Sequence, residues 1–342
     1  MATEAPGSTR SGTREWGRIM RTCGCESTTD LDPVARWLLI TRACVQPMTI
    51  TSIAIAGLLA ARHPAFDGLL FALAAVGSIV AHAANNMTND YFDLTEGLDT
   101  GAYPRAEYAP HPVLSGVISK AGLLKAILVA NAIDGVIMVV LFVERGWPIV
   151  AFALAGLFIS VFYVAPPLRL KARGLGEPSV AIVWGPLMVG GTYYAAVGEV
   201  GAEVFWVSMP YALLVTTVLM GKHVDKIGWD RDERVRTLPV LLGEERSRKV
   251  TVALMAAFYA SVVALALTGT AVVWVLVALA GLPVLSKTAR TYARPKPEAP
   301  PPRFPLWPLW FGPWAFVHAR RAGALLVLGL TAGAVWPVHL FS

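Results

Sequence analysis

The chain has 342 residues, of which 55% are hydrophobic and only 15% are charged. Soluble domains carry about 25% charged residues, so this composition excludes an ordinary soluble protein and indicates a membrane protein. The net charge of +6 does not indicate a nucleic-acid partner, because the basic residues are distributed as membrane topology requires. Cys23, Cys25 and Cys44 are too few and too unevenly spaced for a zinc site, and they imply no disulfide framework.

Residues 1–36 are polar, basic and rich in Ser, Thr and Gly. Because they contain no apolar segment of the signal-peptide kind, we expect a mostly disordered cytoplasmic tail. We interpret Cys23-Gly24-Cys25 as an incidental feature of this tail. An integral-membrane domain is expected over residues 37–342.

Nine apolar runs follow the tail, and each is close to the roughly 20 residues that a helix needs to cross a bilayer. The runs are Trp37–Ala61, Phe66–Ala84, Ala121–Val143, Trp147–Ala165, Ser179–Val197, Val204–Met220, Val250–Leu267, Ala271–Leu285 and Ala322–Phe341. They predict an all-α membrane protein, a bundle of about nine transmembrane helices. Ala271–Leu285 is short unless its helix continues through Ala289.

The basic residues predict the orientation of the bundle. With the N-terminus inside, the outer loops carry only Arg62 and Arg145, whereas each of the four inner loops carries at least two Lys or Arg residues. This asymmetry predicts a multi-pass protein of the cell membrane with its acidic clusters on the cytoplasmic side. Residues 286–321 are expected to form a cytoplasmic loop rich in Pro and Trp. We interpret this loop as an interfacial linker with an aromatic belt, and a partner-binding polyproline segment is the alternative.

The second apolar run ends in a cluster of acids and amides on the continuing helix. Successive members are three or four residues apart, so they share one helix face. The members are Asn86, Asn89, Asp90 and Asp93. Two carboxylates on one face repel each other, and with amide oxygens they suit a hard cation such as Mg²⁺. Gly97 permits a turn that brings Asp99 back toward this site, while the alternative interpretation is a solvated helix end.

A second acidic cluster follows the run Val204–Met220 and is mixed with basic residues. Its acids are Asp225, Asp230 and Asp232. Two acidic clusters that face each other and are surrounded by Lys and Arg would bind a metal-bridged polyphosphate. Asp225 and Asp230 lie about 140° apart on a straight helix. Either the helix therefore breaks near Gly228, or Asp232 replaces Asp230 as a ligand.

The inner loop between the fourth and fifth runs is the third candidate element. Pro166-Pro167 predicts an extended segment, on which Arg169, Lys171 and Arg173 alternate and can share one side. These cations would bind phosphate oxygens. The alternative is a loop that is basic only because it lies inside.

The chain resembles the UbiA superfamily of membrane prenyltransferases. The resemblance rests on a first motif, Asn89-Asp90-Tyr91-Phe92-Asp93, a second motif over Asp225–Asp232, about four helices between them, and the helix count. Within the superfamily, the chain most resembles the branch that makes menaquinone by prenylating 1,4-dihydroxy-2-naphthoate. The segments typical of that branch are Asn89–Thr100, Gly174-Leu175-Gly176-Glu177, Gly191-Thr192-Tyr193-Tyr194 and Arg236–Val240.

Three features depart from the family's pattern. The family's second motif usually spaces its aspartates four residues apart, whereas Asp225 and Asp230 are five apart. Lys222-His223-Val224 stands where the naphthoate branch has an approach containing Asn and Arg. His111 stands in place of Arg in a segment similar to Arg-Pro-Leu-Pro-x-Gly.

The resemblance implies a helical bundle around a central cavity open to the cytoplasmic side, where two Mg²⁺ ions bridge a polyprenyl diphosphate. The implied metal ligands are Asn86, Asn89, Asp90, Asp93, Asp99, Asp225, Asp230 and Asp232. The implied diphosphate-binding residues are Asn86, Asn89, Tyr163, Arg169, Lys171 and Arg173. The implied catalytic residues are Asp90, Asp93, Lys222, His223 and Asp225.

The implied reaction begins when the allylic C–O bond ionises, and an electron-rich aromatic acceptor then attacks the allylic cation. Aromatic faces can stabilise this cation. The candidates are Tyr91, Tyr163, Trp184 and Tyr193. His223 or His111 could deprotonate an acceptor hydroxyl. The isoprenoid tail would lie in an apolar groove, which requires the enzyme to be surrounded by membrane lipid.

Other functions are compatible with parts of this pattern. An ion-coupled transporter would use Asp90 and Asp225 as relays, but it predicts acids deep within helices and inverted repeats, which we do not find. A non-catalytic scaffold has no need for two facing acidic clusters. Within the enzyme class, the alternatives are a different acceptor or a terpene cyclisation without an acceptor.

Overall fold

The computed structural model describes residues 12–98, 109–302, 304 and 306–340, and these residues form helices and no β-strand. The helices are α1 (Thr13–Thr22), α2 (Pro33–Ile40), α3 (Ala43–Ala60), α4 (Gly68–Thr95), α5 (Lys120–Arg145), α6 (Trp147–Phe162), α7 (Gly176–Val197), α8 (Ala202–Asp225), α9 (Ile227–Asp232), α10 (Leu238–Leu242), α11 (Glu244–Leu267), α12 (Val273–Tyr292) and α13 (Phe311–Val335). Eight of them are long and apolar enough to cross a membrane: α3, α4, α5, α7, α8, α11, α12 and α13. The all-α membrane architecture is therefore confirmed.

Several predicted runs differ from the structure in their bounds. The fourth run forms α6, which is apolar but has only 16 residues. The first run was expected to be one helix, but α2 ends at Ile40 and Arg42 adopts a left-handed backbone conformation with φ 52°. The eighth run begins at Val273 as a 3₁₀ helix and continues as an α-helix to Tyr292. It therefore extends through Ala289, as a membrane-crossing helix at this position would need.

The N-terminal tail is folded over its described part, contrary to the expectation of disorder. Ile19 of α1 is fully buried in a cluster that includes residues of α2. Asp32 caps α2 and also accepts a 2.9 Å hydrogen bond from the Trp16 indole. Cys23 and Cys44 form a disulfide with Cα atoms 5.3 Å apart. The sequence implied no disulfide framework, and this single pairing, which was not predicted, forms where α1 packs back against the start of α3.

Helix α8 is the central element of the bundle. It packs against α3, α7, α11 and α13. Of its most apolar 18-residue segment, 67% is buried, compared with 22% for the corresponding segment of α5. Leu128, Val136 and Val143 of α5 are exposed apolar side chains at helical spacing, so they form one outer face. Such a face is suited to lipid.

The helices run back and forth, so one set of helix ends lies together at one end of the bundle. This end includes the last turns of α4 and α8 and the first turns of α5, α7 and α13. Ser119 begins α5 by accepting a hydrogen bond from the Gly122 amide. At the opposite end, Gly146 has φ 76° and lets α6 follow α5 at once. The predicted acidic and basic elements all lie at the first of these two ends.

We expect the substitution Gly329→Ala to weaken the contact between α13 and α12. A methyl group at Gly329 would overlap the backbone carbonyl of Trp274, so the helices must separate, at a cost of about 1–3 kcal/mol in the free energy of unfolding. Thermal unfolding of the detergent-purified protein measures this loss. Gly135→Ala is the control, because a Cβ atom there meets nothing within 4 Å. Equal melting temperatures for both variants would be inconsistent with this packing.

Candidate active site

The carboxylate of Asp90 lies on α4 with no solvent exposure. It accepts hydrogen bonds from the Arg42 guanidinium, with Nε 3.2 Å from Oδ2 and Nη2 in contact with Oδ1. His111 Nε2 lies 3.9 Å from Oδ1. Because His111 Nδ1 accepts amide N–H groups from Val113 and Leu114, a neutral ring carries its proton on Nε2, toward Asp90. A buried carboxylate needs such partners to offset its desolvation.

One turn further along α4, Asp93 forms an ion pair with the basic loop. Lys171 Nζ lies 2.7 and 2.6 Å from the two Asp93 oxygens, and both side chains are largely buried. Asn86 donates a 3.1 Å hydrogen bond from Nδ2 to the Thr41 carbonyl. Asn89 lines the same cavity as Asn86. Asp99, the remaining predicted ligand of this cluster, lies outside the described residues.

The basic loop is not extended, so the prediction that its three cations share one side was wrong. Arg169 has φ 46°, and Leu170–Arg173 form a 3₁₀ turn, which sends the side chains in different directions. Lys171 reaches Asp93, whereas Arg169 pairs with Glu96. Arg173 is exposed and donates to the Pro167 carbonyl at 2.9 Å. Of the three cations, Lys171 is therefore the one paired with an aspartate of the first cluster.

The second acidic cluster contains a break in the helix, as one of the two alternatives from the sequence requires. Helix α8 ends at Asp225, and α9 begins at Ile227. The two Asp225 oxygens accept hydrogen bonds from the amides of Phe311 and Gly312, at 2.9 and 2.8 Å. These amides are the first two of α13, where a carboxylate also interacts favourably with the helix dipole. Asp225 thus caps the last transmembrane helix.

The two other acids of this cluster both lie on α9, in different environments. Asp230 is 1% exposed, and its Oδ1 lies 3.4 Å from Lys226 Nζ, whose residue is 6% exposed. Asp232 is exposed at the end of α9. The geometry therefore favours Asp230 over Asp232 as the member of this cluster that can act inside the bundle.

Tyr163 directly follows α6, and its carbonyl accepts a 3.0 Å hydrogen bond from the amide of Lys171 in the basic loop. Burial raises the pKa of its phenol well above the usual range. The charge of Glu177 raises the pKa further, Lys226 opposes the shift, and Asp93 and Asp230 add to it. The phenol stays protonated and can donate a hydrogen bond.

A small apolar cluster holds the three elements together at this end. Leu98 follows the first motif, Val235 follows the second, and Ala172 belongs to the basic loop. Gly174 lies beside this cluster with φ 75°, and a side chain there would overlap Leu241. The loop therefore packs directly on the chain that follows the second motif.

A cavity of about 480 Å³ opens beside these residues, which is within the usual range for small-molecule sites. Its polar wall is formed by Arg42, Asn86, Asn89, Tyr163 and Lys222. Its apolar wall includes Met48, Ile137, Met138, Leu141, Phe152 and Leu187. The cavity therefore suits a ligand with a charged head and a long apolar chain.

The predicted histidine and aromatic candidates divide into those at the cavity and those elsewhere. His223 Nδ1 lies 2.7 Å from Glu177 Oε1, and both residues are buried. Lys222, its neighbour, lines the cavity, as do Tyr163 and Trp184. Tyr193 packs in the main core, and Tyr91 lies under the Lys120 ammonium at 5.4 Å. The predicted cation-stabilising set is thus reduced to two residues at the cavity.

Three residues that the sequence analysis did not single out take part in this region. They are Arg42, Asp134 and Lys226. Arg42 and Asp134 are charged residues inside apolar runs, a signal that usually marks function. Asp134 lies in the middle of α5, so the statement that no acid lies deep within a helix was wrong. Asp134 lines the cavity, and its buried Oδ1 has no hydrogen-bond partner among the described residues.

The first cluster provides oxygen ligands of the kind that Mg²⁺ prefers. In the described part of the chain, no three His, Cys, Asp or Glu side chains converge on a point that could hold a metal. Mg²⁺ usually needs only one or two carboxylates and completes its shell with substrate phosphates and water. Asp90 and Asp93 with Asn86 and Asn89 fit this requirement. In the second cluster, Asp225 caps α13 and Asp230 lies beside Lys226.

Comparison with known proteins agrees with this architecture. The model of the UbiA prenyltransferase family matches residues 50–312. The 1,4-dihydroxy-2-naphthoate octaprenyltransferase of Bacillus subtilis is 25% identical over 249 residues, which cover 70% of this chain and 77% of that protein. The protein of the same name from Haemophilus influenzae is 28% identical, over 74% of this chain and 84% of that one.

A solved structure shows the same fold. The UbiA homolog from Archaeoglobus fulgidus, solved bound to GPP and Mg²⁺, aligns with a TM-score of 0.58. The alignment covers 85% of this chain and 99% of that chain, at 17% sequence identity. Eight spans and one shorter apolar helix in the described residues thus form a bundle of known type.

We expect Asp225→Ala to lower stability rather than to remove a metal ligand. The substitution leaves the first two amides of α13 without their acceptor, which costs about 1–2 kcal/mol. Thermal unfolding of the purified protein measures the loss. Asp232→Ala is the matched control, since Asp232 is exposed. If Asp225→Ala unfolds at the same temperature as the control, the capping role of Asp225 is wrong.

Proposed function

Because the chain belongs to the UbiA prenyltransferase family, we propose that this multi-pass membrane prenyltransferase transfers a polyprenyl group from an allylic diphosphate to an aromatic acceptor. The acceptor we propose is 1,4-dihydroxy-2-naphthoate, in menaquinone biosynthesis. The names of the two bacterial relatives, which are 25% and 28% identical to this chain, support this acceptor. The positive-inside pattern supports a site on the cytoplasmic face of the cell membrane.

One observation carries the proposal: polar groups of α4 and α8 line one part of a largely apolar cavity. Asn86, Asn89 and Lys222 line the cavity, and Asp93, one turn beyond Asn89 on α4, pairs with Lys171. A diphosphate needs cations, a metal ion bound to it needs carboxylates, and the isoprenoid chain needs apolar walls. The three requirements are met side by side in this one region.

The cleavage step requires stabilisation of the diphosphate as it leaves. Mg²⁺ held by Asn86, Asn89, Asp90 and Asp93 would supply Lewis-acid stabilisation of the leaving oxygens.

The cations of the chain act on the same leaving group. Lys171 and Lys222 would donate hydrogen bonds to phosphate oxygens, and these bonds strengthen as negative charge develops. Arg42 forms an ion pair with Asp90. Arg169, paired with Glu96, and the exposed Arg173 would contribute a positive potential rather than direct contacts.

The allylic cation needs an electron-rich and water-free neighbourhood. The Tyr163 and Trp184 rings line the cavity, and their faces would stabilise the cation until the acceptor attacks. His223 is bound to Glu177, and we assign it a positioning role for the adjacent Lys222. The new C–C bond forms at the carboxylated carbon of the acceptor ring, and the carboxylate then leaves as CO₂, whose bonding electron pair restores aromaticity.

The proposed transfer is tested with membranes that contain the protein, Mg²⁺, geranylgeranyl diphosphate and 1,4-dihydroxy-2-naphthoate. Mass spectrometry should detect a prenylated, decarboxylated naphthoate product. We expect Asp93→Ala to reduce its rate by about 100-fold or more, as loss of transition-state charge stabilisation does, whereas Asp232→Ala retains the rate. Mg²⁺-dependent release of diphosphate without a naphthoate product would refute this acceptor. The absence of both diphosphate release and a prenylated product would refute the prenyl transfer itself.

We expect Gly156→Phe to shorten the prenyl chain that the enzyme accepts. Gly156 lines the cavity with open space beside it, about 10 Å along α6 from Tyr163. The phenyl ring should lower the rate with geranylgeranyl diphosphate by about tenfold or more, equivalent to about 1.4 kcal/mol, and leave the rate with dimethylallyl diphosphate nearly unchanged. Equal losses with both donors would show that the tail does not pass this position.

A further inference from the structure

Polar residues continue along one side of the cavity, well beyond the first acidic cluster. On α4, residues at spacings of four, three and four line the cavity and share one helix face. On α5, two more polar residues one turn apart line it as well. The residues of this α4–α5 side are Ser78, His82, Asn85, Asn89, Asn131 and Asp134.

The opposite side of the cavity, formed by α6 and α7, is largely apolar. Phe152 and Leu157 of α6 and Val183 and Leu187 of α7 line it. An isoprenoid chain carries no polar group, so this apolar side alone meets its requirements. The polar groups of the α4–α5 side would stay without partners against such a chain, at a cost in free energy. They suit a second, more polar occupant of the same cavity.

Asp134 is the member of the α4–α5 side that most needs a ligand. It lies in the middle of α5, and its Oδ1 is buried with no hydrogen-bond partner among the described residues. A carboxyl group that is removed from water without a partner destabilises the protein. An ionisable side chain at such a position in a membrane helix usually marks a functional site.

Gly77 of α4 shows how deep Asp134 lies in the cavity. A Cβ atom at Gly77 would lie 3.7 Å from Asp134 Oδ1, so the carboxyl group packs against this part of α4. Gly77 precedes Asn86 by nine residues, which is about 13 Å along the helix. Since Asn86 belongs to the proposed metal-binding end, this separation leaves room for an aromatic ring between the diphosphate and Asp134.

We propose that Asp134 binds a ring hydroxyl of the aromatic acceptor. The acceptor then lies along the α4–α5 side, and the prenyl chain lies along α6 and α7. A hydroxyl suits Asp134 because it both donates and accepts, so it pairs with the acid in either protonation state. The carboxylate of the acceptor points the other way, toward Lys222 at the cavity. This inference rests on the proposed function, because it assumes that an aromatic acceptor enters this cavity.

Binding of two acceptors that differ by one hydroxyl tests the contact without requiring turnover. Equilibrium dialysis uses purified protein with Mg²⁺ and a non-cleavable thiolo analogue of geranylgeranyl diphosphate. It compares 1,4-dihydroxy-2-naphthoate with 1-hydroxy-2-naphthoate, which lacks one ring hydroxyl. We expect the unaltered protein to bind the dihydroxy compound about tenfold more tightly, as one additional buried hydrogen bond provides.

Asp134→Leu should bind the two naphthoates equally, because the hydroxyl has lost its partner. Its affinity for the diphosphate analogue should stay unchanged. The comparison forms a double-mutant cycle between the hydroxyl and the carboxyl group. Asp134→Ala removes the same group without adding bulk, and it should give the same result. Val136→Leu is the matched control, since Val136 is 66% exposed on the outer face of α5, and it should keep the full preference.

Two kinds of result separate this inference from the proposed function. Equal binding of both naphthoates by the unaltered protein, or a preference that persists in Asp134→Leu or Asp134→Ala, would overturn the role of Asp134 and leave the transfer reaction intact. If the unaltered protein binds the diphosphate analogue but neither naphthoate, the acceptor of the proposed function and this inference are both wrong.

Discussion

Three buried carboxylates at one end of the bundle are each paired with a cation, and the local structure there follows from this constraint. The pairs are Asp90 with Arg42, Asp93 with Lys171, and Asp230 with Lys226. Removing a carboxylate from water costs several kcal/mol unless a partner compensates for it. The backbone is irregular close to each cation: α2 and α3 are separated at Arg42, the basic loop turns at Arg169, and α8 ends beside Lys226.

These pairs prepare the site for a ligand that carries both kinds of charge. A diphosphate offers anionic oxygens to the cations, and a bound metal ion offers positive charge to the acids. Exchange of partners on binding would leave no charge uncompensated in the buried site. The arrangement is therefore preorganised, and little reorganisation is needed when negative charge develops on the leaving group.

The sequence predicted the architecture and the first cluster better than the second cluster. Hydropathy revealed the apolar helices because a span needs a long apolar run, and the three- and four-residue spacing placed Asp90 and Asp93 on one continuous helix. The capping contacts of Asp225 were not predicted because its partners, Phe311 and Gly312, are more than 80 residues away in the chain. Long-range partners of this kind leave no local pattern.

The irregular segments were also beyond sequence reasoning. Pro166-Pro167 suggested an extended loop, but the left-handed Arg169 turned it back on α4. Helix α1 packs on α2, and Cys23 pairs with Cys44, which is 21 residues away in the chain. Composition alone indicated a solvated tail.

The most direct test of this account is an experimental structure of the protein with Mn²⁺ and a non-cleavable allylic diphosphate. The account predicts that Lys171 leaves Asp93 and contacts the diphosphate, that Asp93 contacts a Mn²⁺ ion, and that the isoprenoid chain enters the cavity. A diphosphate bound elsewhere, with the Lys171–Asp93 pair intact, would contradict it.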